Sequence, residues 1–549
     1  MHSEKTSSKK AIALAASAVI LTGVAYILMA NPEFRFMEGA SAIKILWTRA
    51  ILTGQGYTDI GRIGAPPEIV RPPGFALFLS GIVAVFGENM LALKVINNLF
   101  ASIGCAGLFL VFRRRTRKAW LAAGLALAGW LFPDLYQHAP YLEAEILFMA
   151  LLFWAIFMFE RQMEDKHRSW YGLSGFCVLL AVLVLVRSVA ITLVPAAIIS
   201  VLLKSGADNK KKAIWITAIV LTWVLVGGGW MVRNQMVAPP GELTYVDKLL
   251  SGEPIQSVWW LAEDHRVPLL PQPKQASISD VLYRLPQNAA YFSAQIFSNL
   301  NPLASSTSTG ATVFGGILLL AAMAGLFISM FKRKELLDFF AVFYLVTVLL
   351  WPYQDKRFIL PVAPALLYYL IYFVSFLHMK TKNNKELFHV RTSAPVILII
   401  LILFFIGDYG ILKRELSADT SPSLKKSEYF VITTPNPGAY HSLVLLDYLG
   451  KNTGPQSSIM FHSYSPCALI TGRQCSAIPM ARPDDIMRYI LDSGIDYVVV
   501  DDEAKYGGSY MSRFTVAYLK PVMEKYPGYF KPYYLLESGD SGIYQVEPE

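Results

Sequence analysis

The chain predicts a polytopic α-helical membrane protein of about eleven transmembrane helices followed by a C-terminal extracytoplasmic α/β domain, and three observations carry that prediction. Of its 549 residues 54% are hydrophobic, and they fall in long runs rather than being scattered; about 20 such residues in a row cross a bilayer core. Lysines and arginines cluster on alternate connections between these runs, as positively charged loops retained in the cytoplasm do. From about residue 413 the long runs stop and turn residues begin to separate short strand and helix patterns. Residues 1–412 therefore form a transmembrane domain and residues 413–549 a separate α/β domain. The net charge of +9 arises in the alternate loops, so it fits a surface of anionic lipid rather than nucleic acid.

The expected spans are roughly 11–30, 90–112, 118–133, 141–160, 171–188, 190–203, 213–231, 310–331, 336–351, 358–379 and 394–412. The first follows Lys9 and Lys10 but is longer than the roughly 7–15 residues of a signal-peptide core, so it reads as an uncleaved span. Alternation then places the N-terminus inside and the C-terminal domain outside, in a multi-pass protein of the cell membrane. Two long external loops result, 31–89 and 232–309. The first holds helices over Glu38–Leu52 and Gly74–Phe86; the prolines of Arg71–Gly74 break any helix before the second. At about 13 residues that second helix suits an interfacial or re-entrant position better than a span. The other loop carries Trp259, Trp260, Glu263, Asp264, His265 and Arg266, and its aromatics favour an ordered lid near the membrane surface. In the last domain 457–463 and 495–502 read as strands flanking an amphipathic helix over 484–494, which argues for parallel pairing. Cys105 and Cys177 lie within spans as packing residues. Cys467 and Cys475 lie in the external domain, where a disulfide is permitted but spacing alone does not fix it.

The stretch 351–364, WPYQDKRFILPVAP, sets Asp355, Lys356 and Arg357 between two apolar segments. Charge beside hydrocarbon is costly, so such a cluster marks a functional site by default. Further cations, Arg71, Arg187 and Arg233, fall at the same expected membrane edge. One alone would read as snorkelling toward headgroups. Five on the side where positive-inside placement expects few read instead as a phosphate site, since arginine presents a planar fork to phosphate oxygens. Acids on that side are Glu33, Glu38, Asp59, Glu68, Asp134, Glu143 and Glu145. Any of them is an ordinary solvated loop residue unless the fold brings it within reach of a reacting hydroxyl. Asp501, Asp502 and Glu503 are reminiscent of an acidic metal motif but read as a solvated strand end. No zinc-ligand spacing, phosphate-cradling glycine loop or Ser-His-Asp signature is present, and no metal site is assigned.

In order along the chain, EGASAIKILWTRAILTGQGY (38–57), RPPGFALFLSGIVAVFG (71–87), AEILFMALL (144–152), GGWMVRN (228–234) and DKRFILPVAP (355–364) make the chain resemble the GT-C membrane glycosyltransferases. The nearer resemblance is to the branch of protein mannosyltransferases and aminoarabinose transferases. It implies an inverting glycosyltransferase that takes a sugar from a polyprenyl-phosphate donor and gives it to an extracytoplasmic lipid, glycan or protein acceptor. By position it implies Glu38 as the base, with Glu33 nearby and Glu145 as the acid opening the fourth span. Arg357, with Lys356, Arg71 and Arg233, would hold the donor phosphate. The loop acid of that branch is commonly Asp, often paired; here a single Glu stands at 38. No cofactor is fixed, a divalent metal being left open, and the partners are the lipid-linked donor, membrane lipids and an unidentified acceptor. The competing reading is a transporter or lipid flippase. Transporters place ionisable groups near the bilayer midplane, whereas here they gather at one face.

Overall fold

A computed structural model describes residues 2–35, 39–164, 170–204, 208–239, 244, 247, 277–298, 309–352, 354–381, 390–416, 423–427, 430–434, 437–502, 512–537 and 541–547. The helical part runs α1 (His2–Leu28), α2 (Gly39–Leu52), α3 (Gly74–Phe86), α4 (Met90–Thr116), α5 (Ala119–Trp130), α6 (Pro133–Tyr136), α7 (Ala144–Glu164), α8 (Trp170–Val186), α9 (Leu193–Leu203), α10 (Asn209–Trp223) and α11 (Gly229–Val237). It continues with α12 (Ile278–Ser298), α13 (Thr309–Arg333), α14 (Leu336–Leu350), α15 (Ala363–Thr381) and α16 (Val390–Leu416).

Seven helices among the described residues are long and apolar enough to cross a membrane: Lys9–Leu28, Met90–Thr116, Ala144–Met163, Asn209–Val237, Val313–Arg333, Ala363–Lys380 and Ser393–Lys413. The other four expected spans are helical but shorter, over Ala119–Trp130, Trp170–Val186, Ser188–Leu203 and Leu336–Leu350. At about 1.5 Å per residue a helix of 12 to 17 residues reaches about 18–26 Å, short of a core of about 30 Å. Gly74–Phe86 is a helix of 13 residues as expected. The tryptophan-containing part of the loop 232–309, with its expected lid, lies outside the described residues.

The C-terminal region adds β2 (Ser423–Ser427), β3 (Phe430–Thr433), α17 (Pro437–Asn452), β4 (Ser458–Met460), α18 (Tyr464–Thr471), β5 (Gln474–Ser476), α19 (Pro483–Asp492), β6 (Tyr497–Val500), α20 (Lys520–Lys525), β7 (Phe530–Leu535) and β8 (Gly542–Val546). Its main sheet has the order β5-β4-β6-β8-β7. β4 pairs in parallel with both β5 and β6, and β8 closes antiparallel on β6. The expected parallel strand–helix–strand unit is present as β4, α19 and β6. Cys467 and Cys475 form a disulfide joining α18 to β5, while Cys105 and Cys177 are free.

One expectation is reversed here. Asp501 and Asp502 are buried rather than solvated: Asp501 pairs with His462 and Asp502 with His441, each at 3.0 Å. Reading the acids as a solvated strand end took no account of the histidines that follow β4 and lie on α17. Glu503 lies outside the described residues.

A second, three-stranded sheet has the order β1-β3-β2, and its β1 (Glu33–Arg35) comes from the loop after α1. β1 lies parallel to β3, with Glu33 opposite Val431. Around it the C-terminal domain grips the first loop. The Tyr464 hydroxyl donates to Asp59 at 2.8 Å, Ser465 donates to the Gly39 carbonyl at 3.1 Å, and the Cys475 amide donates to the Gly61 carbonyl at 2.8 Å.

Candidate active site

At the end of the helical bundle that faces this domain, a cavity of about 160 Å³ opens between α2, α3, the start of α7, the end of α8 and the end of α14. Lys44, Arg71, Arg187 and Arg357 line it, together with Glu145, Asp355 and an apolar and aromatic wall that includes Trp47, Tyr57, Phe75, Tyr344 and Trp351. Local sequence explains how each cation arrives.

Arg71 is delivered by a turn that Glu68 shapes: its buried carboxylate accepts from the backbone amides of Val70 and Arg71 at 2.8 and 2.9 Å. The two prolines that follow forbid helix until Gly74. A side chain at Gly74 would lie 2.6 Å from the Leu185 carbonyl oxygen, so glycine lets α3 pack against the last turn of α8. The Arg71 guanidinium then rests over Trp47, 5.7 Å from the ring centroid.

Arg187 follows α8 directly and pairs with Glu145 in the first turn of α7. Lys44 projects from α2, donates to the Leu142 carbonyl at 2.9 Å and sits 5.6 Å from the Phe75 ring. Burial pulls its pKa below the ordinary lysine value, with Glu143 and Glu145 pulling the other way. Arg357 leaves a short helical turn over Lys356–Ile359. Asp355 accepts from the Arg357 amide at 2.8 Å and from its Nε at 2.6 Å, and Glu143 accepts from Nη1 at 3.1 Å. The same Glu143 carboxylate is 3.4 Å from His138 Nδ1.

Of the residues picked out from the sequence, Arg71, Glu145, Arg187, Asp355 and Arg357 meet at this cavity. Glu38 lies outside the described residues, while Ala40, two positions on, is part of the cavity wall. Glu33 does not line the cavity: it sits in β1, and its carbonyl accepts from Lys94. Lys356 turns the other way, to Asp134 at 2.7 Å, because neighbouring residues of one turn project to different sides. Arg233 is also absent from the lining. Its guanidinium donates to the backbone carbonyls of Glu68 and Tyr57 and lies over Trp230, so it braces the first loop from behind.

Lys44 was missed by the sequence reading, and Arg187 was noted only as one of several edge cations. The signal for Lys44 was present: it is a lone charge between Ile43 and Ile45 in an apolar helix. Among the described residues no three His, Cys, Asp or Glu side chains come together as a metal set. The two acids of the cavity wall are each already engaged by an arginine.

With this geometry in hand, comparisons with known proteins place the fold. Residues 70–230, which include Arg71, Glu145 and Arg187, match the family described as dolichyl-phosphate-mannose-protein mannosyltransferase. No curated protein matches the chain. Among solved structures, ArnT from Cupriavidus metallidurans bound to undecaprenyl phosphate aligns over 97% of this chain and 99% of its own, at 10% identity and a TM-score of 0.55. The oligosaccharyltransferase AglB from Archaeoglobus fulgidus, in complex with an inhibitory peptide and a dolichol-phosphate, aligns over 97% of this chain and 74% of its own, at 12% identity and a TM-score of 0.54. The Archaeoglobus fulgidus oligosaccharyltransferase in complex with Zn and sulfate aligns over 96% and 72%, at 13% identity and a TM-score of 0.53. The chain therefore has the GT-C fold of these membrane glycosyltransferases and carries the mannosyltransferase family's sequence pattern over residues 70–230.

Proposed function

We propose that this protein is an inverting glycosyltransferase that moves a sugar from a polyprenyl-phosphate donor to an acceptor hydroxyl. The observation that carries the reading is the convergence of Lys44, Arg71, Arg187 and Arg357 on one partly apolar cavity. A polyprenyl phosphate needs both parts, cations for its head and an apolar path for its chain. Arg357 and Arg71, helped by Lys44, hold the phosphate and stabilise the charge that grows on it as the sugar–oxygen bond breaks, a term that usually dominates such catalysis. Arg187 is held in place by Glu145, and that ion pair suits Glu145 to positioning better than to taking a proton. We assign the base to Glu38, which removes the acceptor proton as the hydroxyl attacks the anomeric carbon from the face opposite the departing phosphate. The topology that goes with this scheme has the N-terminus in the cytoplasm and the cavity and C-terminal domain on the other side.

The test is to incubate the purified full-length protein in detergent with a panel of radiolabelled polyprenyl-phosphate sugars and follow label released from lipid. Release in the parent protein falls by about 10²–10³-fold in Arg357→Ala, the scale of losing one transition-state donor, and is abolished in Glu38→Gln. Unchanged release in Glu38→Gln moves the base elsewhere. Absence of release from every donor in the parent protein removes the reading.

A further inference from the structure

We propose that Asn288, on a helix that does not line the cavity, is a positioning residue for Arg357, acting through the turn that delivers the guanidinium to the donor phosphate. The proposal rests on the donor reading above. α12 begins with a reciprocal cap: Ser277 donates its amide and hydroxyl to Asp280 at 2.8 and 2.6 Å, and the Asp280 amide donates back to Ser277 Oγ at 3.2 Å. Two and three turns on, the helix meets the C-terminal end of α14, where the last carbonyls have no partner within their own helix. α12 supplies those partners. Asn288 Nδ2 donates to the Leu349 carbonyl at 2.9 Å and to the Trp351 carbonyl at 2.8 Å, while Arg284 donates to the Leu350 carbonyl at 3.3 Å. The Asn288 carbonyl oxygen accepts from Gln354 Nε2 at 3.1 Å. One buried amide therefore holds both ends of the 351–354 stretch, directly before Asp355.

Other anchors of the turn lie further along it. Tyr344 donates to the Phe358 carbonyl at 2.8 Å, and Lys356 reaches Asp134. These fix where the turn ends, and Asn288 fixes where it begins. Arg357 is held between Asp355 and Glu143, so a shift at 351–354 moves Asp355 and turns the guanidinium against its Glu143 contact. Asparagine fits this task because a single side chain offers two donors and an acceptor; leucine of similar size offers none.

The experiment measures binding of undecaprenyl phosphate to the full-length protein in detergent, together with KM and kcat for the donor, in Asn288→Ala, Gln354→Ala, Arg357→Ala and the Asn288→Ala/Arg357→Ala pair. Asn288→Ala is expected to weaken undecaprenyl phosphate by about tenfold, the size of one lost buried hydrogen-bonding group. Because Arg357 both holds the phosphate and meets its growing charge, kcat falls together with donor affinity. Gln354→Ala, which leaves the helix-end carbonyls satisfied, weakens binding in the same direction by about threefold. In the Arg357→Ala background the Asn288 change adds little, because it acts through that arginine. Parent-like affinity in both Asn288→Ala and Gln354→Ala overturns the proposal, as does full multiplication of the two effects in the pair, the pattern of a general loss of packing. Parent-like affinity in Arg357→Ala overturns the donor-phosphate assignment itself. If Asn288→Ala fails to fold, Gln354→Ala decides the outcome.

Discussion

Two buried charge clusters occupy opposite ends of α7 and α14, and they differ in balance. At one end Arg115 of α4 meets Glu160 of α7 at 2.8 Å, Asp338 of α14 at 2.8 Å and Glu335 at 3.0 Å, with the Asp338 carboxylate also accepting from Ser329 and Tyr369. Acids surround the arginine, its side chain is fully buried, and it ties α4 to α7 and α14. At the other end four basic side chains line a cavity against two acidic ones. Buried charge that is locally saturated holds helices. Buried charge with an excess of one sign beside open space is ready for a ligand of the other sign.

The largest expected effect tests the first half of that contrast. Arg115→Met leaves three carboxylates clustered without their cation and should destabilise the fold by about 3–5 kcal/mol; thermal unfolding in detergent reads this directly. Arg357→Ala should lose activity with a much smaller change in melting temperature. Equal melting losses in the two variants would erase the distinction between clasp and site.

A smaller effect sharpens it. Burial pushes the Glu335 carboxyl up to about 7, with Arg115 pulling against it and Glu160 and Asp338 adding to it. The folded protein therefore keeps a proton that the unfolded chain releases near the usual glutamate range. Stability should fall as pH rises from about 4.5 to 7, by a few degrees in melting temperature, and stay level above that. Glu335→Gln should flatten the profile between about pH 4.5 and 7. An unchanged slope in that variant assigns the proton to another group.

The smallest effect lies at the cavity. Since burial lowers the Lys44 pKa, its charge is lost at lower pH than that of a free lysine, and undecaprenyl phosphate affinity should decline toward pH 10. Lys44→Arg keeps its charge there and should bind with a flatter profile by about two- to threefold at the alkaline end. A parallel decline in both proteins removes Lys44 from the phosphate site.

How far these clusters were legible in the sequence follows from the same contrast. The helical bundle and the β4–α19–β6 unit were readable because each rests on local periodicity. Arg357 and Arg71 were readable because charge stands out at an apolar boundary. Arg115 was hidden: within the basic run 113–118 it looks like its neighbours, and only acids at 160, 335 and 338, brought by two other helices, turn it inward. Lys356 and Arg357, adjacent in sequence, face different partners for a similar reason, since a helical turn separates what the sequence joins. The burial of Asp501 and Asp502 likewise depended on histidines on α17 and just after β4.

The pairing of β1 with β3 has a consequence in time as well as in space. Three residues make no strand by themselves, and the partner of Glu33–Arg35 is synthesised about 400 residues later. The segment that enters α2, next to the cavity wall, thus receives its sheet only when the last quarter of the polypeptide has emerged and folded. An unfinished chain carries Lys44, Arg71, Arg187 and Arg357 yet lacks the strand that pairs with β1, so the first loop beside the cavity is completed last.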